Sequence, residues 1–254
     1  PALSRAEGLL NEATKRLEPG QFAKARITAE EAILSLQEVE EHMLEQMRRY
    51  TDETQLALWN HWVNHTIRWS TTTGGTAIVV LKASRRLFLY RRGQVLADYP
   101  VQLGFSGLLD KQYEGDGATP EGQFRLIRKK SGGETIFYRA LLLDYPGPEH
   151  KRRFQELQAL GEIPAGRTIG GAIEIHGKAI DSEDQTSGCV ALENEAIERV
   201  FQQMSPGGPI TIVGALNTNN EVVDILQARK EHIQLRETEQ RAPTSLSAAL
   251  YASP

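Results

Sequence analysis

The chain has 254 residues, 40% of them hydrophobic and 24% charged, and a formal net charge of −4. That composition belongs to a globular protein that buries its own core without disulfide staples. Lysine and arginine form only short runs, Arg128-Lys129-Lys130 and Lys151-Arg152-Arg153, read as solvated faces, so nothing points to a nucleic-acid partner; no apolar run reaches the roughly 18 to 20 residues of a membrane helix.

The chain opens at Pro1-Ala2-Leu3 without a methionine, which fits a trimmed chain or a processed export substrate. Residues 1–72 read as a helical N-terminal segment of two or three antiparallel helices. Leu3, Ala6, Leu10, Ala13 and Leu17 recur at helical spacing, Ser4-Arg5-Ala6-Glu7 has the form of a capping box, and Pro19-Gly20 ends the first helix. A second run carries Ile33, Leu36, Met43, Met47 and Tyr50, and a third Trp59, Trp62, Val63 and Ile67. His61 and His65 share a face of the third helix, but Trp62 stands where a zinc-protease motif needs glutamate, so they read as a helix face.

After Thr71-Thr72-Thr73-Gly74-Gly75 the period changes. AIVVLK, RLFLY, VLADYPVQL, QFRLIR, AIEIH and PITIV are short β-rich runs that predict antiparallel hairpins with irregular loops. One helix is predicted among them, from Asn194 as cap to Met204, burying Ile197, Val200, Phe201 and Met204. From residue 215 a polar C-terminal helix is predicted through Val222, Ile225, Leu226 and Ile233, followed by a loose end at Ala242-Pro243-Thr244-Ser245.

The one cysteine, Cys189, lies thirteen residues after His176. AIEI reads as a strand ending at His176-Gly177, and the intervening loop is long enough to return the thiol to the imidazole, as nucleophilic catalysis requires. Such a pair would exist as thiolate and imidazolium. Gly188 lets backbone approach closely, so N–H groups around Gly188 and Cys189 can face a developing oxyanion, each worth about 3 kcal/mol. The carbonyl of Gly177 is the candidate to orient the imidazole, since Asp181, Glu183 and Asp184 read as solvent-facing. A lone cysteine is also compatible with a small buried hydrophobe. No metal site is expected, because the loop offers only carboxylates. The residues alone leave a Cys-His pair and a bland core reading both open.

IHG followed by TSGCVALENEAIERVF resembles the active-site segment of the L,D-transpeptidase catalytic domain (YkuD) family, in the variant branch written Thr-x-Gly-Cys-Ile-Ala-Leu. LFLYRRGQVLADYPVQLG, GDGATPEGQFRL and LLLDYPGPEH resemble further pieces of the family in the same order, covering residues 76–214. The resemblance implies an α+β chain: a mostly β L,D-transpeptidase-type catalytic domain at 76–214, the helical segment before it, and the C-terminal helix and tail at 215–254. It implies Cys189 as nucleophile, His176 as base, Gly177 as the group holding the imidazole, and the Gly188-Cys189 amides as part of the oxyanion hole. Thr186 and Ser187 of the motif are assigned to substrate. The family's usual arginine two residues after the cysteine is Ala191 here, so Arg139, or else Arg167, is the candidate carboxylate binder.

The implied reaction opens a peptidoglycan tetrapeptide stem, releases D-alanine through a thioester, and passes the acyl group to an amine. The same site would give L,D-carboxypeptidase action or release of a peptidoglycan-tethered protein, and a silent wall-binding module is the reading from outside enzymes. No metal or cofactor is expected. The implied location is the periplasm or cell envelope of a bacterium, with a role in cell wall and cell shape, and the N-terminal helices are a candidate surface for a protein partner.

Overall fold

A computed structural model describes residues 2–178 and 186–241. The chain forms two compact units, one ending at Arg49 and one beginning at Tyr50. The first is a helical hairpin of α1 (Ala2–Leu17) and α2 (Phe22–Met47). Gly20 adopts φ 73°, and the amides of Gly20 and Gln21 donate to the carbonyls of Leu17 and Arg16, closing α1 as Pro19-Gly20 predicts.

The packing face of the hairpin differs from expectation. Ala6 and Ala13 are buried, while Leu3, Leu10 and Leu17 are 53%, 56% and 51% exposed. Arg16 Nη1 donates to Thr28 Oγ1 at 2.7 Å across the seam, which turns the stripe of Ala25, Thr28, Ala32 and Ser35 toward α1. Small side chains let the two helices approach closely, leaving the larger residues outside. Ile33, Leu36 and Met43 of α2 are exposed for the same reason. Ser4 lies inside α1 rather than capping it, so the capping-box reading is corrected.

The second unit opens with α3 (Glu53–Thr73), capped by Asp52, whose side chain accepts from Gln55 N, and ended by left-handed Gly74. This helix lies on the sheet. Trp59 is fully buried against Gly214, where any Cβ would collide with its ring, and Thr66 and Thr211 share a 2.6 Å hydrogen bond. His61 and His65 are exposed, and His65 Nδ1 meets Gln123 Nε2 at 3.0 Å, consistent with a helix face.

Eight strands follow: β1 (Thr76–Leu81), β2 (Arg86–Arg91), β3 (Gln94–Pro100), β4 (Gly122–Ser131), β5 (Arg139–Leu143), β6 (Glu174–His176), β7 (Val190–Ala191) and β8 (Pro209–Val213). They form one sheet in the order β3-β2-β1-β8-β4-β5-β6-β7. The expected antiparallel hairpins β1-β2 and β2-β3 are present, but β1-β8 and β6-β7 are parallel, so the sheet is mixed. Its core is built from Ile78, Val80, Leu87, Leu89, Leu126, Leu141, Ile175, Ile210 and Ile212 with one face of α5 (Asn194–Gln203). Along that helix Ile197, Val200 and Met204 are buried as predicted, Phe201 is partly buried, and Ala196 is buried as well. Its cap is Glu193, not Asn194, whose Oδ1 instead accepts from Lys178 N at 2.9 Å.

A further helix, α4 (Pro148–Ala159), stands where no helix is predicted. It is too polar to show a buried stripe and contains no buried residue. The C-terminal helix α6 (Glu221–Arg241) is capped by Asn220 Oδ1 and buries Val222 and Val223, while Ile225 faces solvent. Ala242-Pro243-Thr244-Ser245, like Asp181, Glu183 and Asp184, lies outside the described residues. No helix among the described residues is long and apolar enough to cross a membrane.

The segment Gly115–Gly122 is organised by buried charge. Asp116 accepts from the amides of Gln112, Tyr113 and Ala118 and pairs with Lys111 Nζ at 2.8 Å. Lys82, with a fully buried side chain, donates to the carbonyls of Leu109 and Thr119 and pairs with Glu121 at 2.9 Å. Lys82→Met would take away the buried ammonium that pairs with Glu121 and set an apolar side chain beside the carboxylate. It is expected to cost about 3 to 5 kcal/mol in urea unfolding, with Lys82→Met/Glu121→Gln recovering much of the loss. An additive double variant would show that the two residues are not coupled.

Candidate active site

Strand pairing determines which side chains meet. Lys130 is opposite Ala140, Ala140 opposite His176, and His176 opposite Ala191, so these four share one face of the sheet. The neighbouring row is Arg128, Leu142 and Glu174, and the pairing of Ile175 with Val190 sets Cys189 level with Glu174. Cys189, His176, Glu174 and Lys130 therefore stand on one face. The alternate residues Ile175, Gly177 and Val190 face α5: a Cβ on Gly177 would strike Asn194 Oδ1 and Ile197 Cγ2, at 2.6 and 2.9 Å.

His176 is buried, its ring stacked on Phe137 with centroids 3.6 Å apart. Nδ1 lies 2.7 Å from the Gly177 carbonyl oxygen, so it carries the proton and donates. Nε2 is then the basic nitrogen, and it has no hydrogen-bond partner among the described residues. The partly buried Cys189 thiol donates instead to Ala172 O at 3.8 Å and accepts from Glu174 N at 3.4 Å. Ala172 is held at φ 52°, an uncommon conformation for a residue with a side chain.

Burial pushes the Cys189 thiol above its ordinary pKa, helped by the Glu174 charge and opposed by the Glu174 amide and the ammonium groups of Lys111 and Lys130. Burial pulls His176 down, against the Gly177 carbonyl and the Glu174 charge. Both directions favour neutral thiol and neutral imidazole at rest, where the sequence leads one to expect thiolate and imidazolium.

The remaining sequence candidates divide. Thr186 is buried, and its Oγ1 donates to Cys189 O at 2.8 Å while lying 3.5 Å from Gly188 N, so it shapes the nucleophile's turn. Ser187 is exposed beside it. Gly188 has φ 138°, where a Cβ would meet Ala118 O at 2.7 Å. Arg139 is not brought to the thiol. It lies on the α5 face, bonded to Glu198 at 2.8 Å and stacked over Phe201. Arg167 instead lies in the loop before Ala172, between α4 and β6, exposed and 5.9 Å from the Tyr113 ring centroid.

Three charged residues escaped the sequence reading: Glu174, Lys130 and Lys111. The Arg128-Lys129-Lys130 run is not one solvated face. Lys129 points to Phe201 and the Met204 carbonyl, while Lys130 pairs with Glu174 at 2.6 Å. The period of AIEIH carried the signal for Glu174, two residues before His176 and hence on its face.

The family model for the L,D-transpeptidase catalytic domain (YkuD) matches residues 75–212, more than half of the chain, and the chain belongs to that family. Family members act on peptidoglycan. YafK of Escherichia coli strain K12 is 26% identical over 129 residues, covering 49% of this chain and 45% of its own. The chain thus spans about half the length of the curated relatives it matches. The helical cell shape determining protein Pgp2 of Campylobacter jejuni is 26% identical with a TM-score of 0.44, covering 60% of this chain and 52% of that one. L,D-transpeptidase 1 of Mycobacterium tuberculosis is 18% identical with a TM-score of 0.35, covering 55% and 62%.

Proposed function

We propose that the chain is a cysteine-dependent L,D-transpeptidase of the bacterial cell envelope, acting on peptidoglycan tetrapeptide stems. The observation that carries this reading is the shared face of Cys189 and His176, with Nδ1–H committed to Gly177 O and Nε2 left basic. The thiol proton passes to Nε2 as sulfur attacks the carbonyl carbon at the L-centre of the stem's diamino acid. Negative charge gathers on the carbonyl oxygen, and the amides of Gly188 and Cys189 are assigned to it. The C–N bond to D-alanine breaks, His176 returns its proton to the leaving amine, and a thioester remains. An acceptor amine then attacks the thioester, gives a proton to His176 and restores the thiol. Arg167, on the loop that contributes Ala172, is a better-placed partner for a stem carboxylate than Arg139, which Glu198 occupies. Thr186 acts through the Cys189 carbonyl, and Ser187 is available to the substrate. The chain works in the periplasm, reaching it by export.

The test is mass spectrometry of products from a disaccharide-tetrapeptide, with and without an added amine. A cross-linked or amine-exchanged product is expected. Tripeptide alone would replace transpeptidation with carboxypeptidase action; no change would move the reading to a tethered-protein substrate or a binding module.

The neutral resting pair also sets the pH dependence. Below the acid limb His176 is protonated and cannot take the thiol proton; above the alkaline limb the proton needed by the leaving amine is gone. A bell-shaped kcat/KM profile is expected, with its acid limb below 6.5 and its alkaline limb above 9.0, the ordinary values from which burial moves the two groups. An acid limb above pH 7 would contradict the buried neutral imidazole.

A further inference from the structure

Beside the thiol lies a charge pair that the reaction above does not use. Glu174 is a buried carboxylate, 6% exposed, on the face shared by Cys189 and His176. Its own amide donates to Cys189 Sγ at 3.4 Å. Lys130 reaches it from β4 at 2.6 Å, passing over Ala140, whose small side chain leaves the diagonal open. Replacing such a pair by apolar groups is often neutral or stabilising, so stability alone does not account for it.

We propose that Glu174, fixed by Lys130, is a positioning residue that supplies the counter-charge for the imidazolium His176 becomes on taking the Cys189 proton. The inference rests on the Cys-His reading of the site. When the S–H bond breaks and the N–H bond forms at Nε2, a cation appears on a buried ring and an anion on a buried sulfur. A carboxylate two residues along the same strand favours the first and opposes the second. Lys130 holds that carboxylate in place at 2.6 Å and restrains its effect on sulfur. Among the described residues, the charged groups around the thiol are Glu174 on β6, Lys130 on β4, and Lys111 with its partner Asp116 in the loop ahead of β4; Phe137, stacked on His176, brings none.

The experiment measures Cys189 alkylation by iodoacetamide against pH, a readout that needs no stem substrate, alongside kcat/KM profiles. Glu174→Gln is expected to lower the alkylation midpoint by about half a pH unit or more, to move the acid limb of kcat/KM downward, and to reduce kcat at least tenfold. Glu174→Asp should restore part of the parent profile. Lys130→Met should move the alkylation midpoint the other way, and it decides the question if Glu174→Gln does not fold. A purely structural pair would lower the melting temperature and leave the pH midpoints in place, overturning the proposal, as would shifts of opposite sign. Should the stem substrate prove wrong while the alkylation shifts appear, the transpeptidase reading fails and the positioning role stands.

Discussion

Cys189→Ala is expected to remove product formation altogether, a loss of at least about a thousandfold, while the melting temperature stays within a degree or two of the parent. The proposed reaction is split by a covalent thioester, and Cys189 is the one cysteine of the chain. The remaining groups, an unactivated water and the amides near Gly188, would retain only weak hydrolysis. Stability should survive because the thiol makes only the long contacts to Ala172 O and Glu174 N, both beyond ordinary hydrogen-bond length for nitrogen and oxygen. The check pairs product mass spectrometry with intact-protein mass: the parent should accumulate an acyl adduct on addition of tetrapeptide, and the variant none. An adduct that persists in Cys189→Ala would move the nucleophile elsewhere.

Gly104→Ala is expected to be as damaging from a position that carries no chemistry. The turn before the nucleophile is packed backbone to backbone, with Gly104 donating its amide to Thr119 Oγ1 at 3.0 Å and facing Gly188. A Cβ there would stand 2.9 Å from both the Cα and the amide nitrogen of Gly188 and would press on the Gly117 carbonyl. None of these atoms is the end of a flexible side chain, so the turn itself must move. The expected cost is about 3 kcal/mol of stability, with activity in the folded fraction down about a hundredfold because Cys189 follows Gly188 directly. Gly133→Ala is the control: nothing lies within 4 Å of its Cβ position, and its stability should change by less than about 0.5 kcal/mol. Equal behaviour of the two variants in thermal melts and alkylation would refute the packed-turn account.

Six of the eight strands were legible because runs such as AIVVLK, QFRLIR, AIEIH and PITIV are rich in residues that suit a pleated, half-buried surface, whereas β5 and β7 fall outside every predicted run and the parallel pairings were not foreseen. Helix α4 was not, because PEHKRRFQELQA has helix-forming residues but no apolar stripe to betray it. Periodicity showed α1 as a helix yet misjudged its seam: Ala6 and Leu10, or Leu10 and Ala13, are neighbours on one surface, and only the partner helix decides which residues of that stripe are covered. The same limit explains the arginine. Arg139 and Ala140 are adjacent in sequence and face opposite sides of β5, and no local pattern says which side will hold the thiol. That was determined by β6 pairing with β5 on one edge and with β7 on the other, a consequence of the whole sheet. Cys189 and His176 were singled out because HG followed by SGC resembles the family motif; their spacing alone left a bland core reading open.

Because β6 and β7 run parallel, the thiol and the imidazole are joined through space by one ladder and along the chain by a crossover. The crossover is fastened at both ends, by Lys178 N on Asn194 Oδ1 and by the bridge of Thr186 to Gly104. Each fastening lies within three residues of a reacting group, Lys178 two after His176 and Thr186 three before Cys189, so the spacing of thiol and imidazole is held by the ladder together with these two anchors.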